Sequence, residues 1–229
     1  MEKSDAAPII VFDVNETLLD ITALEPLFDR RFGDAAMLRI WFAELILYSQ
    51  TMTLSGLYAP FGELAAGTLV MVGSNHDIAV SDADIAELKE RLGNMPAHPD
   101  VVPALTRLRD AGFRLVTLTN SASGSSPTPL EKAGIDHFFD RHFSIEAVQK
   151  FKPAPETYQY VARELGVETT DMRMVACHLW DIIGAQAAGC KGAFVTRPNN
   201  AILPAEGLSA PDIVVRDLGE LADQLAAPS

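Results

Sequence analysis

The chain has 229 residues, of which 48% are apolar, and it carries a formal net charge of −13 with a pI of about 4.7. This length and apolar content suit an α/β core domain with a smaller inserted domain, whereas the acidic balance excludes nucleic acid and anionic membranes as natural partners. Two cysteines are too few for a disulfide framework. The N-terminus is polar, and no apolar run is long enough to span a bilayer. Together these features predict a cytoplasmic protein.

Short apolar segments rich in β-branched residues recur along the chain, as expected for strands that are buried on both faces. Helical apolar spacing between them stops at Gly112 and at Gly166, and glycine is a common residue just after a helix end. This alternation predicts an α/β fold with a doubly wound, Rossmann-like parallel sheet. The predicted strands are 9–12, 113–119, 172–176, 193–195 and 213–215.

Residues 22–97 break the alternation because they carry helical patterns almost throughout. Ser81 and Asp84 have the spacing of a capping box, which predicts a helix start there. We expect a helical cap domain at 22–97, inserted into a core domain made of 1–21 and 98–229. One face of the first long cap helix is predicted to hold Met37, Ile40, Trp41, Glu44 and Tyr48.

Polar side chains follow three of the predicted strands. Asp13 comes directly after the first strand, Thr119 and Asn120 close the second, and residues 177–181 follow the third. In sheets of this kind, ligands bind beyond the carboxyl ends of the strands. These side chains are therefore expected to converge on one site although they are far apart in sequence.

The segment from Val11 to Asp20 resembles the first motif of the haloacid dehalogenase superfamily, in which a hydrophobic strand precedes Asp-x-x-x-Thr. Three further segments resemble the second, third and fourth motifs in the same order: Thr119-Asn120, Lys152-Pro153 and 175–181. The resemblance spans roughly residues 9–200. Its details are similar to the type II 2-haloacid dehalogenases, and these further matches are Phe61, Phe151, Tyr158, Trp180 and Asp181.

This resemblance implies a hydrolase that converts a small anionic 2-haloacid to a 2-hydroxy acid, with inversion at the carbon and without a metal or cofactor. Asp13 attacks the carbon and forms an ester, Lys152 keeps Asp13 ionised, Asp181 activates water, and Thr17 orients the nucleophile. The implied substrate-binding residues are Asn15, Arg39, Phe42, Ile46, Phe61, Thr119, Asn120, Tyr158, His178 and Trp180. The apolar cap helices would also suit a homodimer.

The chain departs from this family at three places. Phe42 stands where the dehalogenases have a cap arginine, and the nearest cation is Arg39, almost on the same helical face. Asn15-Glu16 replaces a Tyr-Gly pair, which brings an extra side chain to the turn. His178 replaces an asparagine, and an imidazole there would donate to the leaving group or the substrate carboxylate, or activate the water.

Other functions stay open. A Mg²⁺-dependent phosphatase of the same superfamily is disfavoured because Asn15 cannot exchange protons as an acid would, and because Cys177 is a poor ligand for a hard cation. A non-catalytic binding protein on this fold is the other alternative. In structural terms alone, Asp13 and Asp181 could cap helices, and Lys152 could be a solvated loop residue.

Overall fold

The structure, a computed structural model, describes residues 8–122, 124 and 126–226. Its strands are β1 (Ile9–Phe12), β2 (Arg114–Thr119), β3 (Arg141–Ser144), β4 (Met172–Ala176), β5 (Lys191–Val195) and β6 (Ile213–Val215). They form one sheet in the order β3-β2-β1-β4-β5-β6, and every neighbouring pair is parallel. The predicted α/β fold with a parallel sheet is confirmed.

Helices connect the strands. Those after β1 are α1 (Glu25–Phe32), α2 (Met37–Leu54), α3 (Phe61–Asn75), α4 (Asp82–Leu92) and α5 (Val101–Asp110). Those after β2 are α6 (Pro129–Lys132), α7 (Pro155–Leu165), α8 (Leu179–Ala187) and α9 (Leu218–Leu225). Short 3₁₀ turns lie at Ile21–Leu24, Asp136–Phe138, Ile145–Ala147 and Thr169–Asp171. Gly112 and Gly166 follow α5 and α7 with positive φ angles, as their positions in the sequence predict.

The centre of the sheet explains where the site lies. All four residues of β1 are buried, and Phe12 pairs with Thr117 on one side and with Val175 on the other. The backbone N–H of Asp13 donates to the carbonyl of Val175 at 3.0 Å, which extends the ladder by one residue. Asp13 is thus held at the carboxyl edge of the sheet, between β2 and β4, the two strands that flank β1.

The sequence patterns missed one strand and shortened another. β3 is an edge strand in which Phe143 is the one fully buried residue, so its polar sequence lacks the apolar run that marks the inner strands. β5 begins at Lys191, two residues before its predicted start, because Gly192 continues the pairing with β4 although it has no apolar side chain.

Residues 22–97 contain α1 to α4, which pack against one another. The indole Nε1 of Trp41 in α2 donates to the carbonyl of Ala65 in α3 at 3.0 Å, and the capping box at Ser81 is confirmed. The predicted apolar face of α2 is wrong in part: Ile40 and Tyr48 are exposed, because the helix has apolar residues on several sides and spacing alone does not select the buried one. The division into core and cap domains stays a prediction.

Within the described residues, no helix combines the length and apolar character needed to cross a membrane. Large apolar side chains do reach the surface of α2, among them Leu47 and Leu54. The homodimer expected from the sequence stays a prediction.

Candidate active site

The carboxylate of Asp13 is buried and held from two sides. Its Oδ1 accepts a hydrogen bond from Nζ of Lys152 at 2.8 Å, and its Oδ2 accepts one from the hydroxyl of Thr17 at 2.7 Å. The same hydroxyl accepts from the backbone N–H of Cys177 at 3.0 Å, so its own proton is directed at Asp13. The turn after β1 and the end of β4 therefore fix the orientation of this carboxylate.

Lys152 is almost completely buried, and all three protons of its ammonium group have acceptors. These are Asp13 Oδ1, Asp181 Oδ2 at 2.6 Å and the carbonyl of Leu118 at 3.1 Å. Burial lowers the pKa of Lys152, but the charges of Asp13 and Asp181 outweigh burial and raise it. Burial likewise raises the pKa of Asp13, yet the charge of Lys152 and a hydrogen bond from His178 hold it well below its usual value. Asp13 is thus ionised at neutral pH.

Asp181 lies behind Lys152 and is fully buried. Its Oδ2 accepts from Lys152, and its Oδ1 accepts from the hydroxyl of Tyr158 at 2.6 Å, so both oxygens are occupied. Burial raises the pKa of Asp181, Lys152 opposes that, and the net direction is upward. α8 brings Asp181 to this place by close packing: a Cβ on Gly184 would lie 2.3 Å from Cβ of Pro153.

His178 lies on the other side of the Asp13 carboxylate. Its Nδ1 is 3.2 Å from Asp13 Oδ2, and its Nε2 is 2.9 Å from Oε2 of Glu16. The ring is enclosed by Phe42, with centroids 5.3 Å apart, and by Trp180, which stacks at 5.1 Å. Burial lowers the pKa of His178, but Cys177, Asp13 and Glu16 together raise it well above its usual value.

Glu16 is a site residue that the sequence did not predict. Its φ angle of +66° is in the left-handed region, and its buried carboxylate accepts from His178, from Arg39 and from Asn200 Nδ2 at 3.0 Å. Burial raises the pKa of Glu16, but hydrogen bonds from His178 and Arg39 outweigh it and lower the pKa. An acid where the family has glycine was the available signal, but nothing in the sequence shows that its side chain turns inward.

A small cavity opens above Asp13, with about 10 Å³ for the centre of a water molecule, which is room for roughly one water. Its lining residues are Asp13, Asn15, Phe42, Ile46, Phe61, Thr119, Asn120, His178 and Trp180. The opening therefore combines one buried carboxylate, a few polar groups and a mainly aromatic wall.

The structure brings the predicted site residues together in two layers. The first layer consists of the cavity-lining residues named above, all of which were predicted. Beneath it lies a second layer formed by Thr17, Lys152, Tyr158 and Asp181. Arg39 belongs to neither layer, because its guanidinium pairs with Glu16 and is not part of the cavity lining. Its predicted contact with substrate would need the loss of that ion pair.

The donor atoms around Asp13 do not suit Mg²⁺, the cation used by phosphatases of this fold. Mg²⁺ demands oxygen ligands in near-octahedral order. Here the fourth motif brings the thiol of Cys177 and the imidazole of His178 close to the Asp13 carboxylate. The Asn15 side chain donates to Ser121 at 3.4 Å and offers no second carboxylate.

Comparison with known proteins adds two findings on sequence. Residues 8–189 match a family model described as a haloacid dehalogenase-like hydrolase. The chain is also 30% identical over 220 residues to (S)-2-haloacid dehalogenase 2 of Pseudomonas sp. (strain CBS-3), a match that covers 94% of each chain.

Solved structures give the same picture of the fold. The L-2-haloacid dehalogenase of Xanthobacter autotrophicus with chloropropionic acid covalently bound aligns with a TM-score of 0.87 at 23% identity, over 98% of this chain and 100% of the other. A dehalogenase solved as an intermediate complex aligns with a TM-score of 0.85 at 27% identity, over 99% of this chain and 100% of the other.

Proposed function

This chain belongs to the haloacid dehalogenase-like hydrolase family, and from that premise we propose that it hydrolyses the carbon–halogen bond of a small 2-haloacid through an ester on Asp13. The observation that carries the proposal is the state of the Asp13 carboxylate, which is ionised, oriented by Lys152 and Thr17, and open to a small aromatic-walled cavity. The named relative supports the substrate class, since it is a 2-haloacid dehalogenase.

In the first step, an oxygen of Asp13 forms a bond to the carbon that carries the halogen, and the halide leaves with the bonding pair. Direct displacement inverts that carbon. Lys152 stays bound to the other acid, Asp181, and so remains in place while the charge on Asp13 disappears. His178, charged in the free enzyme, faces the same cavity and is available to stabilise the departing halide.

In the second step, water attacks the ester carbonyl of Asp13, releasing the 2-hydroxy acid and restoring the carboxylate. The sequence assigned water activation to Asp181, but Asp181 is fully buried, each of its oxygens already accepts a hydrogen bond, and it does not line the cavity. We give this role to His178. Esterification removes the negative charge of Asp13 and so lowers the pKa of His178, which releases its proton to solvent after the halide departs. The neutral ring then accepts a proton from the attacking water, while Glu16 orients the ring and stabilises the imidazolium that forms.

The wall of the cavity favours a short substrate. Phe42, Ile46 and Phe61, all from the segment proposed as a cap domain, cover the nucleophile together with Trp180. Such a wall excludes water during displacement and accommodates an apolar halogen. Phe42 packs against His178 in a tilted ring contact instead of supplying a cation, so the positive charge that the family takes from an arginine comes from the imidazole.

The proposed function predicts release of halide and of 2-hydroxy acid in equal amounts, with no requirement for a divalent cation. Protein treated with a chelator is incubated with chloro-, bromo- and fluoroacetate and with each enantiomer of 2-chloropropionate, and both products are measured. A generic phosphate ester with Mg²⁺ is assayed in parallel. Phosphate release that depends on Mg²⁺, without halide release from any haloacid, would refute the proposal.

The assignment of His178 predicts that His178→Asn slows ester hydrolysis much more than displacement, in which the imidazole only assists the departing halide. A positioned general base contributes roughly 10²–10⁴-fold, so turnover should fall by about that factor. Halide should appear as a burst of about one equivalent per protein, and mass spectrometry of the intact chain should show the trapped ester.

His142→Asn is the matched control, because His142 lies on the edge strand β3 and pairs with Asp136 at the surface. It should turn over like the wild type. If His178→Asn releases halide linearly at the wild-type rate and no adduct accumulates, another group, such as Asp181, activates the water.

A further inference from the structure

Three potential metal ligands of mixed type meet beside the nucleophile. One ligand atom each from Asp13, Cys177 and His178 lies within 4.8 Å of the other two, and all three residues are buried. The imidazole Nδ1 is 3.2 Å from Asp13 Oδ2, and the hydroxyl of Thr17 lies 2.7 Å from that oxygen and 3.4 Å from the sulfur of Cys177. The Thr17 hydroxyl therefore lies close to two of the ligand atoms and would have to move aside for a cation to contact all three.

The chemistry of this set selects a borderline-soft cation. Zn²⁺ binds thiolate, imidazole and carboxylate at about 2.0–2.3 Å in tetrahedral order, whereas Mg²⁺ demands oxygen. Neighbouring ligand atoms of such a tetrahedron lie roughly 3.3–3.8 Å apart, as follows from those bond lengths. The 3.2 Å between imidazole and carboxylate needs little adjustment. The net charge of −13 also favours a cation over the anionic substrate.

We propose that Asp13, Cys177 and His178 form a Zn²⁺ site whose occupancy blocks this enzyme. On binding, the thiol of Cys177 and the imidazolium of His178 each lose a proton to solvent, and a carboxylate oxygen of Asp13 becomes the third ligand. Water fills the fourth position. The metal then holds the electron pair that Asp13 needs for attack and the nitrogen that His178 needs to accept a proton. The inhibition, though not the binding, rests on the function proposed above.

Binding is tested with Co²⁺, a spectroscopic substitute for Zn²⁺, added to chelator-treated protein. We expect one Co²⁺ per chain, a thiolate-to-cobalt charge-transfer band in the near ultraviolet, and displacement of the band by Zn²⁺. Cys177→Ser should lose the band and weaken binding by about tenfold or more, since even changes one shell beyond the ligands cost roughly 10–100-fold. Cys190→Ser should behave like the wild type, because Cys190 is the other buried thiol and lies outside the cluster.

An inhibition experiment gives the second test. Zn²⁺ should abolish halide release at about one equivalent, a chelator should restore it, and the turnover that Cys177→Ser retains should resist Zn²⁺. The proposal is overturned if wild-type protein shows no thiolate band, or if Cys190→Ser rather than Cys177→Ser removes it. The cobalt spectrum is independent of turnover. Absence of halide release with the band present would refute the proposed function alone.

Discussion

Asp13→Asn should abolish halide release, lowering turnover by roughly 10⁴-fold or more, which is the scale seen when a covalent nucleophile is removed. Asparagine has nearly the same shape and can still contact Thr17, but its amide carries no charge with which to displace a halide. The measurement is halide release under saturating haloacid. Asp140→Asn is the control, because Asp140 lies at the surface in a weak pair with Arg114 at 3.4 Å.

Isotope labelling of the wild type separates a covalent ester from direct attack by water. In one turnover in ¹⁸O-water, attack on the ester carbonyl leaves the label in the carboxyl group of Asp13, and the product carries the original aspartate oxygen. Label that appears first in the hydroxy acid, with none in Asp13, would mean that water attacks the substrate carbon itself. Asp13 would then be a base and not a nucleophile.

Lys152→Met should remove both activity and a large part of the stability at neutral pH. Lys152 is the shared partner of Asp13 and Asp181. Breaking a buried ion pair by deleting one partner costs roughly 3–5 kcal/mol, because the remaining charge is left uncompensated. The free energy of unfolding, measured in urea at pH 8, should fall by about that amount. Lys150→Met is the control. That lysine is half exposed and pairs with Glu156 at the surface, where such pairs contribute about 1 kcal/mol or less.

The stability deficit of Lys152→Met should depend on pH with a definite sign. Without the ammonium group, burial raises the pKa of Asp181 above its value in the unfolded chain, and repulsion from Asp13, which keeps its hydrogen bond from His178, adds to that rise. Groups with a raised folded-state pKa stabilise the fold below that pKa and lose this effect as the pH rises. The variant should therefore lie closer to the wild type at pH 5 than at pH 8. An equal deficit at both values would mean that the loss comes from packing and not from the two acids.

The parallel sheet and the position of Asp13 were predictable because they depend on local patterns. Buried β-branched runs identify the inner strands, and the residue that follows such a strand must lie at the carboxyl edge. Edge strand β3 was not predictable in the same way, because one of its faces is exposed and its sequence is polar. The buried side of α2 could not be predicted from the sequence either, since it depends on how α3 packs against that helix.

The site shows a similar division. Asp13, Lys152 and Asp181 follow from the order of the motifs, and the structure brings all three within hydrogen-bonding reach. The role of Glu16 depends on a left-handed backbone that turns its carboxylate inward, and Arg39 approaches it only through the packing of α2. Contacts of this kind join distant segments, and neither spacing nor composition reports them.

The pairing of charged groups around the cavity has an electrostatic consequence. Three anions and three cations face one another there: Asp13, Glu16 and Asp181 with Lys152, His178 and Arg39. Electroneutrality thus holds in the resting pocket, and a bound haloacid disturbs it by one negative charge. Expulsion of the halide, with the aspartate converted to an uncharged acyl group, returns the pocket to neutrality. In the proposed mechanism, the acyl-enzyme in which His178 is still protonated is therefore charge-balanced, and the departed halide meets no excess positive potential to draw it back.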